Sequence, residues 1–367
     1  MTLSHLHVVQ SLEPLQGGGL GKAALDLHQA FRQEGIVSRL ATTTGSSYKE
    51  SWPNVTQWQR QGPDPLFFSL GLYKSAHHLI KDTDFVHFHG FYTSLSWIIG
   101  HETRKGGRKQ INHPHGFFEP YILQRSRWKK RLAHLLFETK NMRHANLWRA
   151  LTLKEADQIR AQGITAPIVV APNGIHLSEF DAPVPVLEKT KHRILFLARL
   201  HPKKGLTLLI PAWAMVSKRF PDWELIIAGP DELGHKSEIK DLVTQCGVAD
   251  SVNFIGPVLG RDKISLLHSA DLFVLPSFSE GFSVGILEAM ACKVPVLATD
   301  ACNFPELQSH GGGWLCSPTQ ESLTKALETA LRDLESESQD RGISARKLVE
   351  ESYTWPAIVN TLASACH

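Results

Sequence analysis

Two glutamates eight residues apart, Glu280 and Glu288, stand in the stretch from Pro276 to Thr299, PSFSEGFSVGILEAMACKVPVLAT. Glu280 falls in a loop after the apolar run Leu272 to Leu275, and Glu288 falls inside a helix that Ser283 or Val284 should begin. A helix start carries unpaired backbone N–H groups and partial positive charge, so it holds an anion without a basic side chain nearby. The two carboxylates would repel a phosphate, and their natural partners are sugar and ribose hydroxyls. A nucleotide-sugar combines all of these groups.

The cations that such a ligand needs stand in Ala198-Arg199-Leu200-His201-Pro202-Lys203-Lys204-Gly205, between an apolar run and a helical segment. Arg199 at the strand end and Lys204 at the turn can converge on one anion, the arginine by its fork and the lysine as a point charge. Two cations and a helix start are what a leaving diphosphate needs as negative charge builds on it. A glycine cluster, Gly17-Gly18-Gly19-Leu20-Gly21-Lys22, follows the first apolar run. It is no P-loop, because Gln16 stands where the first glycine is required. Nor does it fit a dinucleotide fingerprint: nine residues separate Val9 from Gly19, and the second strand ends without an acidic residue. A flexible loop opening a helix still lets backbone N–H groups approach a phosphate or a sugar, a merely structural turn being the lesser alternative.

His87-x-His89 and His113-x-His115 each put two imidazoles on one face of an extended strand. That spacing could bind a metal, but no cysteine or close carboxylate completes a ligand set, so no metal is expected. Hydrogen bonding or charge stabilisation at the carboxyl ends of the strands suits these histidines better. Glu119 is the nearest carboxylate; it could face an acceptor hydroxyl or simply begin a helix.

The elements that must position these groups alternate along the whole chain. Candidate strands are Leu6–Val9, Val37–Thr42, Phe85–His89, Lys109–Asn112, Arg149–Leu153 and Ile168–Ala171, then Ile194–Ala198, Glu224–Ala228, Val252–Ile255, Leu272–Leu275 and Val294–Ala298. Helix-length segments separate most of them, which predicts α/β architecture with parallel sheets built twice over. At 367 residues the chain fits two domains. Asp181 to Lys191, DAPVPVLEKTK, is the expected linker. Trp355 to Ala365 reads as an extra helix that could pack back on the first domain.

Hydrophobic residues at 42% and charged residues at 20% describe a soluble globular protein. The N-terminus lacks the pattern of a signal peptide, and no apolar run reaches the length of a membrane span. Five cysteines, all in the second half and without a C-x-x-C pair, read as reduced cytosolic residues. The net charge of +3 hides an asymmetry: residues 1–172 hold 21 lysines and arginines against 12 acids, the remainder 18 against 24. Eight basic residues meet one acid between Gln124 and Ala150, where Trp128, Leu132, Leu135, Leu136 and Trp148 interleave as on an amphipathic helix. An anionic membrane surface would suit that segment, and so would an ordinary solvated helix with its stripe in the core.

Taken together, these residues resemble the retaining family-4 glycosyltransferases (glycosyltransferase group 1) of the GT-B fold. The likeness is carried by Glu280 and Glu288, Arg199 and Lys204, the glycine loop, Pro172-Asn173-Gly174-Ile175 and Gly229-Pro230-Asp231-Glu232, in that family's order; His176 stands where the family usually has aspartate. The resemblance implies two Rossmann-like domains facing across a cleft: an acceptor-binding domain over residues 1–175 and a nucleotide-sugar domain over 176–352. A helix over 353–367 would cross back to the first. It implies transfer of a hexose from a UDP- or GDP-sugar to a lipid-linked or saccharide acceptor in cell-surface polysaccharide synthesis, of exopolysaccharide or lipopolysaccharide type. Anomeric configuration would be retained, with neither cofactor nor metal. By matching position, Arg199 and Lys204 would neutralise the diphosphate, Glu288 would hold the ribose, and Glu280 would bind hydroxyls of the moving sugar. Gly18, Gly19 and the backbone of Gly281, Phe282, Ser283 and Val284 would contact the donor. His115 would lie near the reacting sugar, with His89 and Glu119 on the acceptor side. A cytoplasmic protein, peripheral on the inner face of the plasma membrane, is the expected setting, with no nucleic-acid partner.

Overall fold

The computed structural model describes residues 3–13, 16–45, 50–61, 67–119, 131–336 and 340–366. The chain divides into two compact units, one formed by Met1–Gly174 with Trp355–His367 and the other by Ile175–Thr354.

The first unit is built on a seven-stranded sheet: β1 (Ser4–Val9), β2 (Val37–Thr44), β3 (Val55–Gln59), β4 (Phe85–His89), β5 (Lys109–His113), β6 (Leu147–Ala150) and β7 (Ile168–Val170), in the order β3-β2-β1-β4-β5-β6-β7. All neighbours are parallel. Parallel pairing needs a crossover after each strand, and capped helices supply three of the six. Ser69 caps Leu70–Lys81, Thr93 and Ser96 form a capping box for Ser94–Lys105, and Thr152 caps Leu153–Ala161. On one face Leu6, Val8, Val86 and Phe88 meet Leu72, Ala76, Ile80, Leu95, Ile98 and Ile99 of two of these helices. Near the other face, Leu27, Ala30 and Phe31 of the helix Gly18–Gln33 pack with Trp355, Ile358, Val359 and Leu362. The last helix, Trp355–Ala365, therefore returns to the first unit. Gly174 makes that return possible, because a Cβ there would lie 2.6 Å from the Trp355 ring and 2.8 Å from its backbone.

The second unit carries a six-stranded sheet: β8 (His192–Leu197), β9 (Trp223–Ala228), β10 (Val252–Gly256), β11 (Leu272–Leu275), β12 (Val296–Thr299) and β13 (Gly313–Cys316), in the order β10-β9-β8-β11-β12-β13. Its strands are parallel, and β9, β11 and β12 inside the sheet are buried on both faces, which explains their near-continuous apolar composition.

Several boundaries differ from those the sequence suggests. Strands β3 and β13 were not anticipated, and Leu153 starts a helix instead of ending β6. The segment 181–191 is no free linker. Asp181 forks onto Arg346 at 2.8 and 2.9 Å, Arg261 donates to the Pro183 carbonyl, and Lys189 reaches Asp271 at 2.7 Å, all within the second unit. Prolines strip this stretch of N–H donors but leave its carbonyls to be claimed by the neighbouring helix. The amphipathic reading of 124–150 is also narrowed. Residues 124–130 lie outside the described residues, His134–Glu138 forms a π-type turn, the helix ends at His144, and Trp148 is a fully buried strand residue. Leu135 and Leu136 do face solvent, at 80% and 61% exposure.

Candidate functional site

In the second unit, chain order reverses direction across the sheet between β8 and β11. Ligands of open α/β sheets usually bind at the carboxyl ends of the strands beside such a reversal. Arg199 and Lys204 follow β8, and Glu280 follows β11. The two loops are pinned together by their backbones, since Phe278 N–H donates to the Lys203 carbonyl at 2.9 Å. Gly205 sits at φ 77°, and a Cβ there would lie 1.9 Å from the Pro276 carbonyl oxygen. Only glycine allows that approach.

The pinning brings the Lys204 Nζ to 2.6 Å from Glu280 Oε1, which also accepts from Ser277 Oγ at 2.6 Å. Glu280 is buried, its N–H donates to the Ala301 carbonyl at 3.0 Å, and its own carbonyl accepts from the Asn303 amide. A carboxylate held this way has one oxygen committed to a lysine and a serine, which fixes where the other can point. Ser283 caps the helix Val284–Ala291 through Ile286 N–H, so the helix starts at Val284, with Gly281 and Phe282 in the turn that enters it. One turn on, Glu288 pairs with Lys263 at 2.6 Å. Arg199 is exposed and pairs with Glu232 at 2.6 Å. Arg199 and Lys204 thus each face a carboxylate of their own in this structure, where the sequence suggested a shared anion. Neither Lys263 nor Glu232 was singled out as a partner from the sequence, and only spatial proximity reveals them.

In the first unit the corresponding reversal lies between β1 and β4. Gly18 and Gly19 are exposed at the start of the helix Gly18–Gln33, where Gly18 takes φ 49° and a Cβ on either would meet nothing within 4 Å. That openness leaves backbone N–H groups accessible to a ligand. His115 follows β5 with φ 51°, a left-handed conformation that is strained for a side chain of this size. Glu155 holds it there by accepting from the next N–H, that of Gly116, while also capping through Leu151 N–H at 2.7 Å. His115 Nε2 lies 3.0 Å from His89 Nδ1. Glu119 is buried one turn later, with its Oε1 3.5 Å from where a Gly116 Cβ would be. Burial pushes the His115 imidazole down to about 3, and the nearby Arg149 adds to that. Arg149 is itself buried, donating to the carbonyls of Ala171 and Pro172, and burial lowers its guanidinium to about 9.

Ring nitrogens of His89, His113 and His115 all lie within 4.8 Å of one another, a spacing open to a metal ion. The ring geometry opposes it. His89 and His113 stack at 4.3 Å with planes only 17° apart, so no point sits in both ring planes at the roughly 2 Å a metal–nitrogen bond requires. His89 also spends both nitrogens on other histidines.

Residues 17–179 match the family model for Glycosyltransferase Family 4, and residues 178–348 match that for Glycosyl transferases group 1. HepE of Anabaena, solved with UDP, superposes with a TM-score of 0.77 over 99% of both chains at 20% identity. The chain is a GT-B-fold relative of the family 4 and group 1 glycosyltransferases. Sucrose-phosphate synthase of Thermosynechococcus elongatus shares the GT-B fold at a TM-score of 0.75 and 18% identity, over 99% of this chain and 98% of that one. Among relatives by sequence, the lipopolysaccharide core biosynthesis mannosyltransferase LpsB of Rhizobium meliloti is 31% identical over 52% of this chain and 59% of its own. The human alpha-1,3/1,6-mannosyltransferase ALG2 is 30% identical over 53% of this chain and 51% of its own. The matches span between about a third and three fifths of the length of such relatives.

Proposed function

We propose that this GT-B protein is a retaining, metal-independent glycosyltransferase that moves a hexose from a UDP- or GDP-sugar to a saccharide or lipid-linked acceptor of cell-surface polysaccharide synthesis. The observation that carries the reading is the Lys204–Glu280 pair beside the Ser283-capped helix start, at the carboxyl edge between β8 and β11. Lys204 and Arg199 neutralise the donor diphosphate as the bond to the sugar breaks, and the N–H groups of Gly281 to Val284 add a partial positive charge. Glu280 accepts from hydroxyls of the moving sugar, and Glu288 accepts from the ribose once Lys263 shares its charge. Gly18 and Gly19 contact the donor, and His115, His89 and Glu119 serve the reacting sugar and the acceptor. The departing phosphate takes the acceptor proton, so no protein base is required. The complexes of HepE with UDP-glucose and the core-polysaccharide assignment of LpsB support this choice of donor and pathway.

Donor binding is tested by thermal shift with UDP, GDP, ADP and their sugars. A bound donor raises the melting temperature with the logarithm of its concentration over Kd, by about 2.7 kcal/mol of stabilisation at a hundredfold excess. UDP- or GDP-sugars should shift the transition and ADP-sugars should not; absence of any shift at millimolar concentration rejects the reading.

A peripheral position on an anionic membrane accompanies this proposal. Leu132, Leu135 and Leu136 are exposed beside Arg131, Lys140 and Arg143, and among the described residues no helix is long and apolar enough to cross a membrane. Flotation with vesicles containing anionic lipid should recover the protein at low salt and lose it at high salt. Equal recovery with neutral vesicles would count against charge-driven attachment.

A further inference from the structure

The first sheet carries six histidines on one face. His5 and His7 on β1, His87 and His89 on β4, His113 on β5 and His115 just beyond it form two parallel chains of hydrogen-bonded imidazoles. One runs His5 Nδ1 to His87 Nε2 at 2.9 Å and His87 Nδ1 to His113 Nε2 at 3.0 Å. The other runs His7 Nδ1 to His89 Nε2 at 3.0 Å and His89 Nδ1 to His115 Nε2 at 3.0 Å. The chains stack on each other, His7 over His87 and His89 over His113, both at 4.3 Å. Phe31 of the helix Gly18–Gln33 packs edge-on against His5, His7 and His87.

Two protonated imidazoles cannot share a hydrogen bond, and a single buried imidazolium without a counter-ion is costly, so the ladder favours uncharged rings. Burial and the neighbouring histidines hold His7, His89 and His113 far below the usual imidazole range, and burial with His5 and Arg149 does the same for His87. The other charged or titratable groups around the layer are His28, Arg149, Glu155 and Glu119. A neutral imidazole has one N–H and one bare nitrogen, so each bond dictates the tautomer of the next ring. A whole chain therefore has two states of opposite polarity.

The end of the chain decides between them. His7 Nε2 is buried without a hydrogen-bond partner. An orphaned buried N–H is rarer and costlier than an under-used acceptor. With Nε2 bare, His7 donates from Nδ1 to His89, and His89 donates from Nδ1 to His115 Nε2. His115 is then left with its proton on Nδ1, which makes no hydrogen bond among the described residues. The same rule applied to His113, whose Nδ1 is the orphan, runs the second chain towards His5. Because the inner end is closed, neither chain conducts protons. The first acts as a clamp.

We propose that His7 and His89 are positioning residues that lock His115 in its neutral Nδ1–H tautomer, making it a fixed hydrogen-bond donor to a ligand oxygen at the carboxyl edge of the first sheet. That the oxygen belongs to the transferred sugar or the acceptor rests on the proposed transfer reaction; the tautomer does not. A donor that stays neutral can bind a hydroxyl without bringing a positive charge to it. The strained backbone at His115 and the Glu155 bond behind it supply the second constraint, on where the ring sits.

Long-range proton–nitrogen NMR of ¹⁵N-histidine-labelled protein at pH 7 tests this directly, with His115 assigned by loss of its signals in His115→Gln. His7, His89 and His115 should show protonated Nδ1 and bare Nε2, and His5, His87 and His113 the reverse. His7→Asn keeps an N–H near the Nδ1 position and should preserve the His115 pattern. His7→Leu removes it and should give mixed tautomers at His115, with turnover down about tenfold and donor binding unchanged. An Nε2–H tautomer at His115 in the unaltered protein overturns the proposal, as does an unchanged His115 pattern in His7→Leu. Should His7→Leu fail to fold, the spectrum of the unaltered protein decides alone. A protein with the expected tautomers but no transfer activity would fail the proposed reaction and keep the clamp.

Discussion

Lys204→Ala should lower kcat/KM for sugar transfer by roughly a hundred- to a thousandfold, and Glu280→Ala by a similar factor, while both variants keep the native fold. The size follows from what each group faces in the transition state. Removing one preorganised charge-stabilising donor from a water-poor site costs about 10² to 10³ in rate. Lys204 opposes charge that grows as the sugar leaves, so its loss should fall mainly on kcat. Glu280 holds the sugar itself, so its loss should raise KM as well as lower kcat. The fold should survive because backbone bonds, Phe278 to Lys203 and Glu280 to Ala301, carry the loop without either side chain. Each single variant does leave a partly buried charge without its partner. Glu280→Gln is the gentler control: it keeps an acceptor for Ser277 Oγ and should retain the melting temperature while still losing activity. Near-normal transfer by both alanine variants, measured by release of the nucleoside diphosphate, would remove the site from consideration.

The backbone of this site was legible in sequence because it depends on local rules. An apolar run, a glycine turn and a serine cap at fixed offsets placed Glu280 in a loop and Glu288 in a helix. What local rules do not carry is pairing across crossovers. Lys263 reaches Glu288 from the helix Gly260–His268, and Glu232 reaches Arg199 from the loop after β9. No periodicity brings those positions together. Strand β3, VTQWQ, was passed over because its polar residues hide the apolar pattern of a sheet edge, and β13 because three glycines lead into it.

The histidine ladder shows the same limit in another form. The spacing of His87-x-His89 and His113-x-His115 was evident, and so was their common face. The matching His5-x-His7 was lost because hydrophobicity alone starts β1 at Leu6, whereas the strand begins at Ser4. Register then does the rest: pairing Val9 with His89 and His89 with His113 brings three such pairs onto one face. A single-strand pattern cannot show a contact that exists only between strands.

That ladder makes the first unit acid-sensitive. His7, His87, His89 and His113 are buried and held well below their ordinary value of 6.5, so the unfolded chain binds protons that the folded one refuses. Groups depressed in the folded state contribute stability above the unfolded pKa and lose it as pH falls. Each such histidine therefore costs stability as pH falls through the unfolded value, and the four act in the same direction. Glu138 works in the opposite sense, since burial raises it from 4.5 to about 7 and protonating it favours the fold as pH drops. Glu155, also raised by burial, acts with it, while His28 and His115, also lowered, add to the histidines' loss, so the net effect of acid is destabilising. The whole stability of a typical domain is only about 5–15 kcal/mol, so a loss summed over several buried histidines is a large part of it. Hydrogen-exchange protection of β1, β4 and β5 should therefore collapse between pH 6 and 5, with a fall in melting temperature over the same range. His87→Leu, which removes one refused proton from the centre of the ladder, should make that fall shallower. Flat melting temperatures from pH 7.5 to 5 would mean that the imidazoles take up protons in the folded protein and that the ladder is not held neutral.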